Sequence, residues 1–307
     1  MSIADPTGER FVLTGPRGTA EIAQVGAALR ALTLDGIDLF PRYPDDLPTP
    51  AAAGIVLVPW PNRIRGGVWT HGGETYQLAI SEPKLGNASH GLLRFAPYRA
   101  VAQDDASVTL QHGVFPQTGY PFHLDTTVTY TLEDDGLVVR HEIVNVGPGA
   151  APVAVGAHPY LCVGDVPTAD LTIEVDAETY LIVDEAQIPT GQVPVDAPHD
   201  LRTPRRLGDV SLDTAYGDIG RDEAGRIRAI LRTPDGRRLD LWAGPGYDYL
   251  QVFTTDRLPG HPLAVAVEPM TAPANAFNSG QSLRWLEPGE SWGLDWGIKY
   301  QVDVTAL

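Results

Sequence analysis

Apolar and polar residues alternate with a period of two along much of this chain. Leu124, Thr126, Val128, Tyr130 and Leu132 interleave with His123, Asp125, Thr127, Thr129 and Thr131. That spacing turns one face of a β-strand toward a core. Glu133-Asp134-Asp135-Gly136 predicts a tight turn into a second run, residues 137–146, so the two runs make a hairpin. Residues 227–232 and 239–242 flank Thr233-Pro234-Asp235-Gly236 in the same way. Further strands are expected over residues 11–14, 20–25, 28–34, 107–111, 171–175, 249–254, 263–267 and 294–304.

The 32 glycines and 27 prolines fall mostly between these runs, as turn punctuation does. No amphipathic stretch at the helical period of ~3.6 stands out, and no linker, low-complexity segment or repeat divides the chain. The pattern predicts an all-β protein: one domain spanning residues 1–307, built as a large antiparallel β-sandwich.

Composition narrows the partners. A formal charge of −17 argues against nucleic acid, which needs clustered basic residues, and against an anionic membrane surface. No apolar run reaches the ~18 residues of a membrane-spanning helix. The first ten residues lack a basic segment followed by an apolar one, so no secretory leader is expected. The single cysteine, Cys162, fits a reducing, cytoplasmic setting and is expected to be a small core residue.

Chemistry concentrates in a few segments. Residues 263–267 form an apolar run that ends in a lone carboxylate, Glu268, followed by Pro269. A carboxylate at the mouth of a buried strand is costly unless something pairs with it or uses it. Gly156-Ala157-His158-Pro159-Tyr160 places a histidine, stiffened by proline, at another strand end. A lone histidine is ordinarily a satisfied core or surface group, but one so fixed can act as a general acid near neutral pH. Ser89-His90-Gly91 offers a second, turn-borne histidine; the other six, at 71, 112, 123, 141, 199 and 261, are expected at the surface.

Pro59-Trp60-Pro61-Asn62-Arg63 joins an aromatic face, an amide and a guanidinium, a set suited to stacking on and forking hydrogen bonds to a polyhydroxylated ligand. Arg63 could equally pair with an acid. No dinucleotide or phosphate-loop glycine motif, nucleophile elbow or metal-ligand spacing occurs, so neither cofactor nor metal is expected.

Six pieces together resemble the aldose 1-epimerase (galactose mutarotase) family. They are Asn62-Arg63-Ile64, His90-Gly91, His158-Pro159-Tyr160, Leu212 to Tyr216, Leu250 to Thr254, and Val267-Glu268-Pro269-Met270. They occur in the family's order. The resemblance implies a β-supersandwich with an open cleft and an isomerase that interconverts the anomers of a free aldohexose such as glucose or galactose. It also implies Glu268 as catalytic base and His158 as catalytic acid. Asn62, Arg63, His90, Asp213 and Gln251 become the residues that hold sugar hydroxyls or support charge at the ring oxygen, and Tyr160 and Trp60 line the cleft. The partner is then a small sugar, and the protein a monomer or homodimer.

Two alternatives stay open inside the fold. His90-Gly-Leu-Leu-Arg94 departs from the glycine-rich His-Gly-Gly of typical galactose enzymes and resembles subgroups with an arginine just after His-Gly. If Arg94 enters the cleft, the sugar could be a hexose 6-phosphate or a sulfo-sugar; if not, it is a surface arginine. The protein could also be a silent carbohydrate-binding sandwich, since fold alone does not imply activity. A glycosidase pairing Asp213 with Glu268 is a further reading.

Overall fold

The computed structural model describes residues 5–302; the first four residues, and residues 303 and 304 of the last expected strand, lie outside them. Among the described residues every ladder between strands is antiparallel, and no helix is long and apolar enough to cross a membrane. The expected hairpin forms with Leu124–Glu133 paired to Gly136–Asn145, Glu133 opposite Gly136. Core-facing and half-exposed positions alternate along its first strand, as the pattern predicted.

This hairpin belongs to a nine-stranded sheet, with Ser107–Val114 on one side and Ser291–Val302, Arg237–Ala243 and Ile227–Arg232 on the other. A second, eight-stranded sheet contains Ala177–Val183, Asp213–Ile219, Tyr249–Thr255, Ala264–Met270, Gly156–Ala157 and Val56–Leu57 in that order. Val128, Tyr130 and Val139 of the first sheet share one buried cluster with Leu250, Val252 and Val267 of the second. Closing apolar sheet faces on one another makes the sandwich. A four-stranded sheet covering residues 10–38 adds Leu13, Ile22 and Leu29 to the same cluster.

Two expectations change. The run expected to end before Glu268 continues as one strand, Ala264–Met270, buried at all seven positions. Glu268 therefore lies within a central strand, opposite Gln251, and not at its mouth. His141, expected at the surface, is 2% exposed. It falls on the parity of Leu137, Val139 and Ile143, so the strand carries it inward, where Trp296 Nε1 donates to its Nε2 at 3.1 Å. Burial pushes the His141 imidazole down to about 3.

A stability effect follows from His141. Below about pH 6.5 the unfolded chain protonates this histidine while the folded one does not, so stability is complete above that pH and drains as pH falls toward about 3. A His141→Gln variant keeps an acceptor for Trp296 but has no such titration. Between pH 7 and 4.5 it should lose about 2–3 kcal/mol less stability than the parent in urea melts. Equal losses would remove His141 from the acid response.

Candidate active site

The strands Tyr249–Thr255 and Ala264–Met270 give one face to a cleft of about 300 Å³, where Gln251 and Phe253 stand beside Glu268, with Asp213 from the next strand. That volume is at the lower end for small-ligand pockets (~300–1,000 Å³). His158 closes one side. Its N–H donates to the Ile55 carbonyl at 3.1 Å and its carbonyl accepts from Gly54 at 2.8 Å, while Val267 N–H reaches the Pro159 carbonyl at 3.1 Å. The backbone thus wedges His158 against the strand that carries Glu268.

The opposite side comes from two short segments. Arg63–Ile64 pairs with Ala88–Ser89, and His90 N–H donates to the Asn62 carbonyl at 2.8 Å. Asn62 (φ 54°) and His90 (φ 62°) both adopt the left-handed region, which strains a side-chain-bearing residue and which Asn and His tolerate better than most. Gly91 follows at φ 72°, and a Cβ there would sit 2.0 Å from the Val58 carbonyl oxygen. Only glycine lets the chain turn so close to its neighbour while aiming His90 at the cleft.

All seven residues singled out in the sequence line this one cleft: Asn62, Arg63, His90, His158, Asp213, Gln251 and Glu268. His158 Nε2 lies 3.2 Å from Glu268 Oε1, and both side chains are almost fully buried. The His90 ring stands edge-on to His158 at 5.4 Å. A hydrogen-bonded string binds the rest. Arg63 Nη1 donates to Asn62 Oδ1 at 3.3 Å, Asn62 Nδ2 to Gln251 Oε1 at 3.4 Å, and Gln251 Nε2 to Asp213 Oδ1 at 2.6 Å.

Burial dominates the electrostatics. It holds the Glu268 carboxyl well above the ordinary carboxylate range; the Asp213 charge adds to this and the Arg63 guanidinium opposes it. Burial also pushes His158 down to about 3 and His90 well below 6.5, with the positive charges of Arg94 and Arg63 acting in the same direction on both. His158 and Glu268 therefore favour their uncharged forms and hold one proton between them. Glu268 Oε2, His158 Nδ1 and His90 Nδ1 are buried without a partner in the protein. Buried polar atoms are nearly always paired, so such a cluster suits a polar ligand.

The structure corrects the reading of Trp60 and Tyr160, which do not line the cleft. Trp60 is 2% exposed and packs edge-on against Phe277 at 5.5 Å, and Tyr160 is fully buried behind His158. The aromatic faces at the cleft are Phe95 and Phe253. Arg63 both lines the cleft and pairs with an acid: its Nε and Nη2 grip Glu82 at 2.8 and 3.1 Å. Glu82, like Arg257, escaped the sequence reading, because an acid in a turn and an arginine in a loop carry no periodic signal. Arg94 lines the cleft as well. Cys162 is buried as expected, its thiol raised to about 12.

Comparison with known proteins agrees with this architecture. The family described as aldose 1-epimerase matches residues 9–299. The uncharacterized protein YihR of Escherichia coli K12 is 34% identical over 91% of this chain and 89% of its own length. Human galactose mutarotase is 34% identical over 50% of this chain and 46% of its own. A crystal structure of a putative aldose 1-epimerase from Escherichia coli K12 superposes with a TM-score of 0.82 at 19% identity, over 96% of this chain and 99% of that one. With its galactose mutarotase-like β-supersandwich, this chain belongs to the aldose 1-epimerase family.

Proposed function

We propose that this protein is a mutarotase, an isomerase that interconverts the α and β anomers of a free aldohexose such as glucose or galactose by opening and reclosing the ring. The observation that carries this reading is the buried His158–Glu268 contact of 3.2 Å, set in the wall of a sugar-sized cleft.

The reaction moves two protons and nothing else. In ring opening, Glu268 as carboxylate takes the proton of the anomeric hydroxyl and His158 as imidazolium gives one to the ring oxygen. Rotation about C1–C2 turns the other face of the aldehyde, and closure reverses both transfers. The two oxygens share one carbon, so an acid and a base in mutual contact suit them. The pair holds one proton before and after each step. Burial favours the uncharged arrangement, and Arg63 draws Glu268 back toward carboxylate, so the two arrangements lie closer in energy than burial alone would allow. Asn62, His90, Asp213 and Gln251 would hold ring hydroxyls, and Arg63 would support charge at the ring oxygen. Each positioned acid or base typically contributes about 10²–10⁴-fold.

A silent sugar-binding protein needs no buried acid–base pair, and Asp213, which accepts from Gln251, sits in a hydroxyl-binding string instead of serving as a second glycosidase carboxylate. Polarimetry of freshly dissolved α-glucose and α-galactose across pH tests the proposal. Activity should form a plateau while the pair keeps its single proton. The acid limb, where His158 would gain a second proton, falls well below pH 6.5, because burial holds that imidazole down to about 3. The alkaline limb comes where Glu268 finally ionises. No catalysis of anomer exchange at any pH would refute the function, and an acid limb centred near pH 6.5 would refute the shared proton.

A further inference from the structure

We propose that Glu82 is a positioning residue for the reaction: it holds one edge of the Arg63 guanidinium and so keeps that cation from pairing with Glu268. This inference rests on the mutarotase reading and adds to it a residue that acts through another.

Arg63 has five N–H donors in a planar fork. Glu82 takes the Nε and Nη2 edge at 2.8 and 3.1 Å, and Asn62 Oδ1 accepts from Nη1 at 3.3 Å. One hydrogen on Nη1 and one on Nη2 remain for a ligand in the cleft that Arg63 lines. The pair is well shielded, with Arg63 16% and Glu82 25% exposed, so it is held more firmly than a solvated ion pair.

The turn that carries Glu82 is built without help from its carboxylate. Ser89 lies opposite Arg63 in their short ladder. Its N–H donates to Ser81 Oγ at 2.8 Å, and the Ser81 hydroxyl donates to the Ser89 carbonyl at 3.1 Å. Glu82 N–H donates to the Asn87 carbonyl at 3.0 Å, and Gly86 N–H donates to the Glu82 carbonyl at 2.9 Å. Residues 81–89 thus bring Glu82 to the flank of Arg63, and the carboxylate is left to serve the guanidinium.

Arg63 has other carboxylates to choose from. Burial penalises the Arg63 charge, and Glu82, Asp213 and Glu268, in that order, favour it. A partly buried guanidinium deprived of Glu82 gains most by forking onto one of the remaining two. Asp213 already accepts from Gln251 at 2.6 Å, whereas Glu268 Oε2 has no partner in the protein. An Arg63–Glu268 pair would fix Glu268 as carboxylate and break the proton sharing with His158. Even with Arg63 in place, losing the Glu82 charge leaves the guanidinium pulling harder on Glu268. Both effects stabilise the Glu268 carboxylate, so Glu268 ionises at lower pH. The other groups facing Glu268 are His158, Asp213 and Tyr160, and the cleft also holds His90, Arg94 and Arg257; a Glu82 substitution leaves all of them in place.

The test follows anomer exchange by NMR against pH for the parent, Glu82→Gln, Glu82→Asp, Arg63→Met and the Glu82→Gln, Arg63→Met double variant. Glu82→Gln should lower kcat by about 10-fold or more, with a smaller change in KM, and move the alkaline limb down by about one pH unit. Glu82→Asp keeps the charge and should keep the limb near its parental position. In the Arg63→Met background, Glu82→Gln should cost less than about 2-fold more. An unmoved alkaline limb in Glu82→Gln, or losses that multiply in the double variant, overturns the proposal, because a merely structural ion pair changes stability and not the limb. The Glu268 carboxyl can also be titrated without turnover by ¹³C NMR of glutamate-labelled protein, its signal identified by its loss in Glu268→Gln. Glu82→Gln should lower that titration by about one unit, and an unshifted titration overturns the role of Glu82. Failure of the mutarotase reading would show separately, as a parent protein without anomer exchange.

Discussion

Glu268→Gln should slow anomer interconversion by at least about 10²-fold while the protein remains folded. The substitution keeps the shape of the side chain and keeps a hydrogen-bonding partner 3.2 Å from His158 Nε2. An amide, however, can neither take nor return a proton at the anomeric oxygen. Stability should hold or rise, because a carboxyl that is 2% exposed, with one oxygen unpartnered, gives way to a neutral group of nearly the same volume. Polarimetry on fresh α-sugar gives the rate and a urea melt gives the stability. Near-normal turnover from a folded variant would remove Glu268 from the chemistry.

Much of the fold was legible because hydrophobic alternation shows wherever one face of a strand is buried and the other wet. The hairpin of Leu124–Glu133 and Gly136–Asn145 is such a case, yet His141, expected at the surface, lies on its inward parity and is buried, because a polar residue type does not by itself reveal which face of the strand it occupies. The Ala264–Met270 strand is the opposite case. It is covered on both faces, so it reads as an unbroken apolar run from which neither its end nor the facing of Glu268 follows. The seven cleft residues were reached through short motifs, which mark chemistry but not distance. That Asn62 meets Gln251 across 189 positions is a product of the sheet topology alone. Glu82 and Arg257 belong to no motif or period, and only the folded cleft relates them to Arg63 and Arg94. Trp60 looked like a ligand platform because an aromatic between prolines reads the same whether it faces a sugar or Phe277.

His158→Gln should cost a comparable ~10²-fold or more, and the double variant with Glu268→Gln should cost about as much as either single change. The two side chains share one proton, so removing either leaves the other with no partner to accept or return it. Residues that act as a unit lose their effect once, whereas independent residues lose it twice, and the losses multiply. His158 suits this cycle because backbone bonds to Ile55 and Gly54, not its ring, hold the segment in place, so the cleft should keep its form without the imidazole. Initial rates of α-sugar exchange for the four proteins give the coupling directly. If the double variant falls by the product of the single losses, ~10⁴-fold or more, the two groups act separately and the shared-proton mechanism is wrong.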